Sequence, residues 1–265
     1  MWRRSCRLLA RFALVSFHDM SVFRTDFVMS LLHNLVYQGI FLIFWKSVLA
    51  FTASRLGGWT FPELAVLTSF TLVSAAVAQW FVGLQQLSSK ILDGDLDKYL
   101  CKPVSPLLAL LGESVNALVS FQQLVSAGLL LTAVCLYYRV PLTLGGVAAG
   151  LAILALGCAT ILLIRGCVAL SAFWLGDVSR ISGLFEISGD FERYPINLFP
   201  GWLQGTLTWI VPVGLISTWP VLAFLGKGGP PWAWLAVGAA LVLFWSLLFG
   251  EIWRRALRRY ESFGG

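Results

Sequence analysis

The sequence predicts an all-α membrane protein with six transmembrane helices, and three observations predict it. Hydrophobic residues make up 58% of the 265-residue chain and charged residues 12%, against roughly 45–50% and about 25% in soluble domains. The mean hydropathy is +0.81. Apolar stretches of ~20 residues recur, and a helix rising about 1.5 Å per residue needs that length to cross a hydrocarbon core ~30 Å thick. The short alternating segments of an outer-membrane barrel do not appear.

The spans are expected at residues 27–53, 62–84, 107–138, 144–173 and 232–253, with a less regular fifth span within 174–226. An N-in arrangement places Arg3, Arg4, Arg7, Arg11, Arg24, Lys90, Lys98, Lys102, Arg180, Arg254, Arg255, Arg258 and Arg259 in the cytoplasm. Arg55, Arg139 and Lys227 fall outside, and Arg193 depends on how the fifth span is drawn. That bias puts both termini on the cytoplasmic side. The formal charge of +6 therefore reads as contact with anionic lipid at the helix flanks, not with nucleic acid.

Residues 1–24 read as an amphipathic interface helix in the headgroup layer. Arg3, Arg4, Arg7 and Arg11 gather on one face and Trp2, Cys6, Leu9, Phe12 and Ala13 on the other. A signal peptide is not expected, because Arg7 and Arg11 interrupt the apolar run.

Between the second and third spans lies a polar island at 85–106, QQLSSKILDGDLDKYLCKPVSP. Leu84, Leu87, Ile91, Leu92, Leu96, Tyr99 and Leu100 recur at helical spacing and make one apolar stripe. Gly94 is a candidate break, and Pro103 and Pro106 end the pattern. A short amphipathic helix of this kind suits docking to a soluble partner; the plain alternative is a solvated link between two spans.

The stretch 194–226 holds Pro195, Pro200, Pro212 and Pro220, too many for one straight span. One drawing makes 174–194 the fifth span, polar with Asp177, Arg180, Glu186 and Asp190, and makes 195–226 a re-entrant hairpin from the outer face. The other leaves 174–199 in the cytoplasm and crosses at 202–226. The last span ends in a basic run at 253–260, an inner-face anchor, while Trp59, Trp202, Trp209, Trp219 and Trp232 suit an outer aromatic belt.

Polar residues inside spans are costly, at roughly 2.5–3.5 kcal/mol for a charge at the bilayer centre, so they face protein or water. Glu113, Asn116, Ser120 and Gln123 follow steps of three, four and three, so they share one face of the third span. Asn34, Gln38 and Lys46 lie in the first span and Arg165 in the fourth. With Asp177, Arg180 and Glu186, these are candidates for a transport path or an interprotomer contact, or for simple interhelix bonds and snorkelling. Gly146 and Gly150 form a small-xxx-small step that permits close helix approach.

No phosphate-binding loop is present. The two histidines, His18 and His33, both sit near the N-terminus, so no buried Ser–His dyad is expected. The five cysteines form no C-x-x-C pair, and no metal site is expected.

The segment LDGDLDKYLCKPVSPL resembles the motif G-x-L-D-x-Y-L-x-[KR]-P-x-x-P-L that follows the second span of ABC-2 type permeases. The match is Gly94, Leu96, Asp97, Tyr99, Leu100, Lys102, Pro103, Pro106 and Leu107. A second stretch is similar through Phe173, Trp174, Tyr194, Pro195, Phe199, Pro200, Pro212 and Pro220. Cys101 and Lys102 depart from the larger apolar residue and arginine often found there, which leaves the subgroup open. The resemblance implies a six-span exporter permease in a bacterial cytoplasmic membrane, paired with an identical or related second permease. It also implies two copies of a separate ABC ATPase that bind ATP and magnesium, with no cofactor held by this chain. Leu92, Asp93, Gly94, Asp95, Leu96, Asp97, Tyr99, Leu100, Lys102 and Pro103 would then form the coupling helix. The rival readings are an ion-coupled carrier or channel using Lys46, Glu113 or Arg165, and a non-transporting membrane scaffold.

Overall fold

The structure, a computed structural model, describes residues 24–52, 56–102 and 105–259. The expected interface helix therefore lies outside the described residues, except for Arg24, as do Arg55 and Pro103. Every regular element described is helical, apart from an isolated bridge between Leu56 and Trp59. Among the described residues, five helices are long and apolar enough to cross a membrane, or six if one bent pair counts as a span.

Helix α1 (Arg24–Phe51) and α2 (Phe61–Trp80) form the first two spans. A capping box starts α2: the Thr60 backbone N–H donates to Glu63 Oε2 at 2.8 Å, satisfying a donor the helix itself leaves orphaned. Polar α3 (Val82–Gln85), α4 (Leu87–Leu92) and α5 (Asp97–Leu100) follow, then α6 (Pro106–Glu113) and the long α7 (Ala117–Tyr138). After a short loop come α8 (Leu144–Leu170), its continuation α9 (Ala172–Leu175), and α10 (Ser179–Asp190). The chain closes with α11 (Gly201–Gly205), α12 (Thr218–Phe224) and α13 (Pro231–Arg259).

Helix α2 is the central post. Leu64, Ala65, Val66 and Leu67 are fully buried, and α2 packs along α7. Trp45 and Leu49 of α1, Val134 of α7, Leu154 and Ile161 of α8, and Phe224 of α12 complete the main core. Helices α1 and α13 are peripheral, with few of their side chains fully buried. In a span that is the ordinary state of a lipid-facing helix, because hydrocarbon is as apolar as the side chains.

The third span is not one helix. Ser114 leaves helical geometry at φ −102°, and the Asn116 backbone N–H donates to Gln79 O at 3.1 Å instead of continuing the ladder. The Asn116 side chain then caps α7 by accepting from Val119 N at 3.4 Å. The expected shared face of Glu113, Asn116, Ser120 and Gln123 is thereby corrected. Glu113 ends α6 and Asn116 caps α7, so only Ser120 and Gln123 lie on α7.

Beyond α10 the chain runs through single turns at Phe191–Arg193 and Ile196–Leu198. Helix α11 widens into a π-helical turn at Thr206–Ile210, and the chain breaks at Val211 and Pro212. It then returns through Val213–Leu215 and α12, the two limbs meeting at 72°. The returning limb lies against glycines of α8. A Cβ on Gly150 would stand 2.8 Å from Pro220 O, one on Gly146 would stand 2.7 Å from Phe224 O, and Gly157 abuts Leu215 O still more closely. The limb thus begins beside the middle of α8 and ends beside its start.

Gly157→Ala is expected to lower the thermal unfolding temperature in detergent through overpacking of about 1–3 kcal/mol. Gly145→Ala on the same helix meets no atom within 4 Å and should leave it unchanged; equal effects from both would refute the packing account.

Candidate functional site: a polar cavity and a clamped island

Two features stand apart from the apolar bundle. The first is the island. Leu87, Ile91, Leu96 and Tyr99 are fully or almost fully buried against Ala109 and Leu110 of α6, Ala169 and Leu170 of α8, Ala172 of α9 and Ala256 of α13. Gly94, at φ 73°, makes the left-handed turn that separates α4 from α5. The expected single helix is therefore two short ones, folded so that both add to the same buried stripe. Two members of that stripe point elsewhere: Leu92 is 43% exposed and Leu100 38%. They share the outer edge with exposed Asp93, Lys98, Cys101 and Lys102.

Tyr99 pins the island from inside. Lys90 Nζ donates to its hydroxyl at 2.7 Å. The ammonium groups of Lys90 and Lys102 lie 5.1 and 5.0 Å from its ring centroid, within cation–π range. Lys102 also pairs with Glu113 at 3.3 Å. Asp95, hydrogen-bonded to Lys98 at 3.0 Å, holds that ammonium above the usual lysine range. At the same end, the Ser179 backbone N–H donates to Asp177 Oδ1 at 2.9 Å.

The second feature is a cavity of about 420 Å³ within the half of the bundle nearer the island. Helix α1 contributes Asn34, Tyr37 and Gln38, α2 contributes Ser74 and Gln79, α7 Gln123, and α8 Arg165. The chain after α10 closes it with Glu192 and Arg193. Ser74 Oγ donates to Glu192 at 3.3 Å, and Arg165, Arg193 and Asp190 are the charges close enough to act on that carboxylate. Arg193 donates to the Tyr37 hydroxyl and lies over its ring at 5.3 Å. Gln123 Oε1 and Arg165 Nε are buried and have no hydrogen-bond partner among the described residues.

Of the intramembrane candidates, the fold brings Asn34, Gln38, Gln123 and Arg165 together in this cavity. None of the other candidates whose side chains are described lines it. Lys46 is exposed on α1, Ser120 is buried and donates to Ala76 O at 2.9 Å, and Asp177 and Arg180 are exposed near the island. Glu186 lies on α10, where its side chain is not described. Sequence reasoning missed Glu192, Ser74 and Gln79. The one available signal was the charged pair Glu192 and Arg193 directly before Tyr194 and Pro195.

At the far end of the bundle, Asn197 ties the post-α10 segment to the α1–α2 connection. It accepts from Trp59 Nε1 at 2.8 Å and donates to Gly57 O at 2.7 Å. Lys227, after α12, pairs with Glu63 at the start of α2. Trp219 stacks on Trp234 with centroids 3.7 Å apart.

A multi-pass helical bundle with a polar interior cavity and a clamped polar connector at one end is a membrane transport component. A family model described as "ABC-2 family transporter protein" matches residues 35–264. The chain belongs to that family, and its role is that of a membrane permease. Comparison with curated proteins found no match.

Removing Arg165 alone, as Arg165→Leu, leaves Glu192 with Arg193 and the Ser74 hydroxyl for compensation and is expected to cost roughly 1–3 kcal/mol of stability. The double variant Arg165→Leu/Glu192→Leu should recover most of that loss in thermal unfolding in detergent. Strict additivity of the two single losses would show that the charges do not interact.

Proposed function

We propose that this chain is the permease subunit of an ABC exporter in a bacterial cytoplasmic membrane, with its island facing the cytoplasm. It works with two copies of a separate ATPase, which bind ATP and magnesium, and with a second permease, identical or related. The observation that carries this reading is the outer edge of the island. Leu100 within the motif Gly94 to Leu107, of the kind these permeases use to meet their ATPase, and Leu92 two residues before it are both exposed. Soluble-facing apolar side chains flanked by Asp93, Lys98 and Lys102 make an amphipathic docking edge, with the leucines as anchors and the charges as rim.

The buried side of the island supports the same reading. It rests on the ends of α8 and α13, so movement of the edge carries directly to two spans. In this view the cavity is part of the substrate path, opened and closed by tilting of the spans about α2.

Residues 174–194 serve as the polar fifth span and 195–226 as a re-entrant hairpin from the outer face. The glycine contacts support this, because the returning limb runs beside α8 from Gly157 back to Gly146 and then ties to Glu63 through Lys227. The carboxylate of Glu192 in the cavity also favours a second reading, an ion-coupled carrier driven by protons. Transport that follows a proton gradient in the absence of any ATPase would select it.

Two experiments test the proposal. Asp95→Lys/Asp97→Lys should abolish copurification of the ATPase and ATP-driven transport while leaving membrane insertion intact. The Asp95–Lys98 pair is solvent-exposed and contributes little to stability, and an unchanged thermal unfolding temperature of the double variant in detergent separates lost docking from lost folding. Unchanged copurification and transport would overturn the docking role. Separately, exposed Cys101 in a chain whose other cysteines are replaced should react with an impermeant maleimide only from the cytoplasmic side. Trp209→Cys should not react from that side; if it does, the hairpin drawing is wrong.

A further inference from the structure

The cavity has a chemistry more specific than that of a generic polar path. Among the described residues that line it the charges balance: two basic residues, Arg165 and Arg193, face two acidic ones, Asp190 and Glu192. An added anion would sit in the field of the two carboxylates, and an added cation in the field of the two guanidinium groups. Neither has a counter-charge left to desolvate against, and an unpaired charge in low dielectric is strongly disfavoured.

The hydrogen-bonding groups are not cancelled in the same way. The carboxamides of Gln38, Gln79 and Gln123 line the space and make no side-chain hydrogen bond among the described residues. Each offers two N–H donors and a carbonyl acceptor. Buried Gln123 Oε1 is an acceptor without a donor, and buried Arg165 Nε is a donor without an acceptor. A hydroxyl group both donates and accepts, so a cluster of hydroxyls satisfies both kinds of site with one chemical group. The volume, about 420 Å³, lies within the ~300–1,000 Å³ typical of small-molecule pockets.

We infer that the cavity is a loading site for a neutral, polyhydroxylated group, held by Gln38, Gln79, Gln123 and Arg165, and that it discriminates against ions. This rests on the exporter-permease reading for its role in loading but not for the binding itself. The same headgroup chemistry can arrive on a lipid or as a free sugar.

The test is equilibrium binding without ATP to the full-length permease in phosphatidylcholine nanodiscs, with tritiated dioctanoylglycerol glucoside as the probe. Saturable binding is expected, with no displacement by dioctanoyl phosphatidylglycerol or by a dioctanoyl trimethylammonium lipid. Displacement by methyl glucoside identifies a free sugar as sufficient; its failure identifies a lipid-borne headgroup, and both results support the site. Gln123→Leu and Gln38→Leu should each weaken binding about tenfold, the cost of leaving one hydrogen-bonding site unmatched, while the protein remains monodisperse. Absence of saturable binding, displacement by either ionic lipid, or unchanged affinity in both variants would overturn the proposal. Because copurification of the ATPase is measured separately, a failed binding test leaves the permease reading standing, and the reverse holds too.

Discussion

The fold depends on one constraint: in hydrocarbon a backbone N–H or C=O finds no water, so irregular chain must be covered by protein. The segment from Tyr194 to Gly226 breaks its helix at Val211 and Pro212 and turns twice through tight single turns. It survives because α8 presents Gly146, Gly150 and Gly157 to its carbonyl edge, with no room for a side chain between them. Within the turn, the Ile196 N–H donates to Thr218 Oγ1 at 2.9 Å and Ser217 Oγ donates to Val213 O at 3.1 Å. The Thr218 hydroxyl thus takes up a backbone N–H that no helix ladder satisfies. Bulkier residues on α8 would push the limb away, and the groups at the break would lose their cover.

The polar cavity follows from that arrangement. The post-α10 segment is held on both sides: Tyr194 packs on Trp45 and Phe41 of α1, and Asn197 bonds to Trp59 and Gly57. Anchored so, it presents Glu192 to Ser74 and Arg165, and Arg193 to Tyr37. Charges that would be prohibitive singly are tolerable as a balanced set with hydrogen bonds. The apolar anchors beyond Tyr194 fix where the ionic groups meet; the ionic groups alone could not choose a depth.

The spans were legible in the sequence because their signal is local: a run of ~20 apolar residues needs no knowledge of neighbours. Gly94 as a break and the Gly146–Gly150 step were legible for the same reason. The break at Ser114 was not. Glu113, Asn116, Ser120 and Gln123 keep helical spacing, and what overrides it is a bond from Asn116 to Gln79 O, 37 positions away in the chain. Of the polar intramembrane residues, sequence picked Gln38, Gln123 and Arg165, which meet in the cavity, alongside Lys46 and Asp177, which do not. A helical wheel shows that a polar residue has company on its own helix, but the cavity draws on five separate segments. Glu192 was unreadable because its segment has no regular period to place it. The exposed turn of Leu92 and Leu100 was hidden for a related reason: their spacing matches the buried stripe, and only the left-handed turn at Gly94 rotates the two short helices apart.

The two polar features are mechanically joined. The island's buried residues press on Ala169 and Leu170, at the end of α8, and Arg165 stands little more than one turn earlier on that helix. The contact is between close-packed apolar groups, which resist compression and pass displacement on instead of absorbing it. A partner gripping Leu92 and Leu100 would therefore act on the guanidinium in the cavity through one short, rigid path. The glycine stripe lies farther along the same helix, so a tilt of α8 that moves Arg165 also moves the surface sheltering the broken hairpin. A single helix thus carries the contact with the island's buried side, the cavity charge and the cover for the irregular segment, and a rigid shift of that helix moves all three.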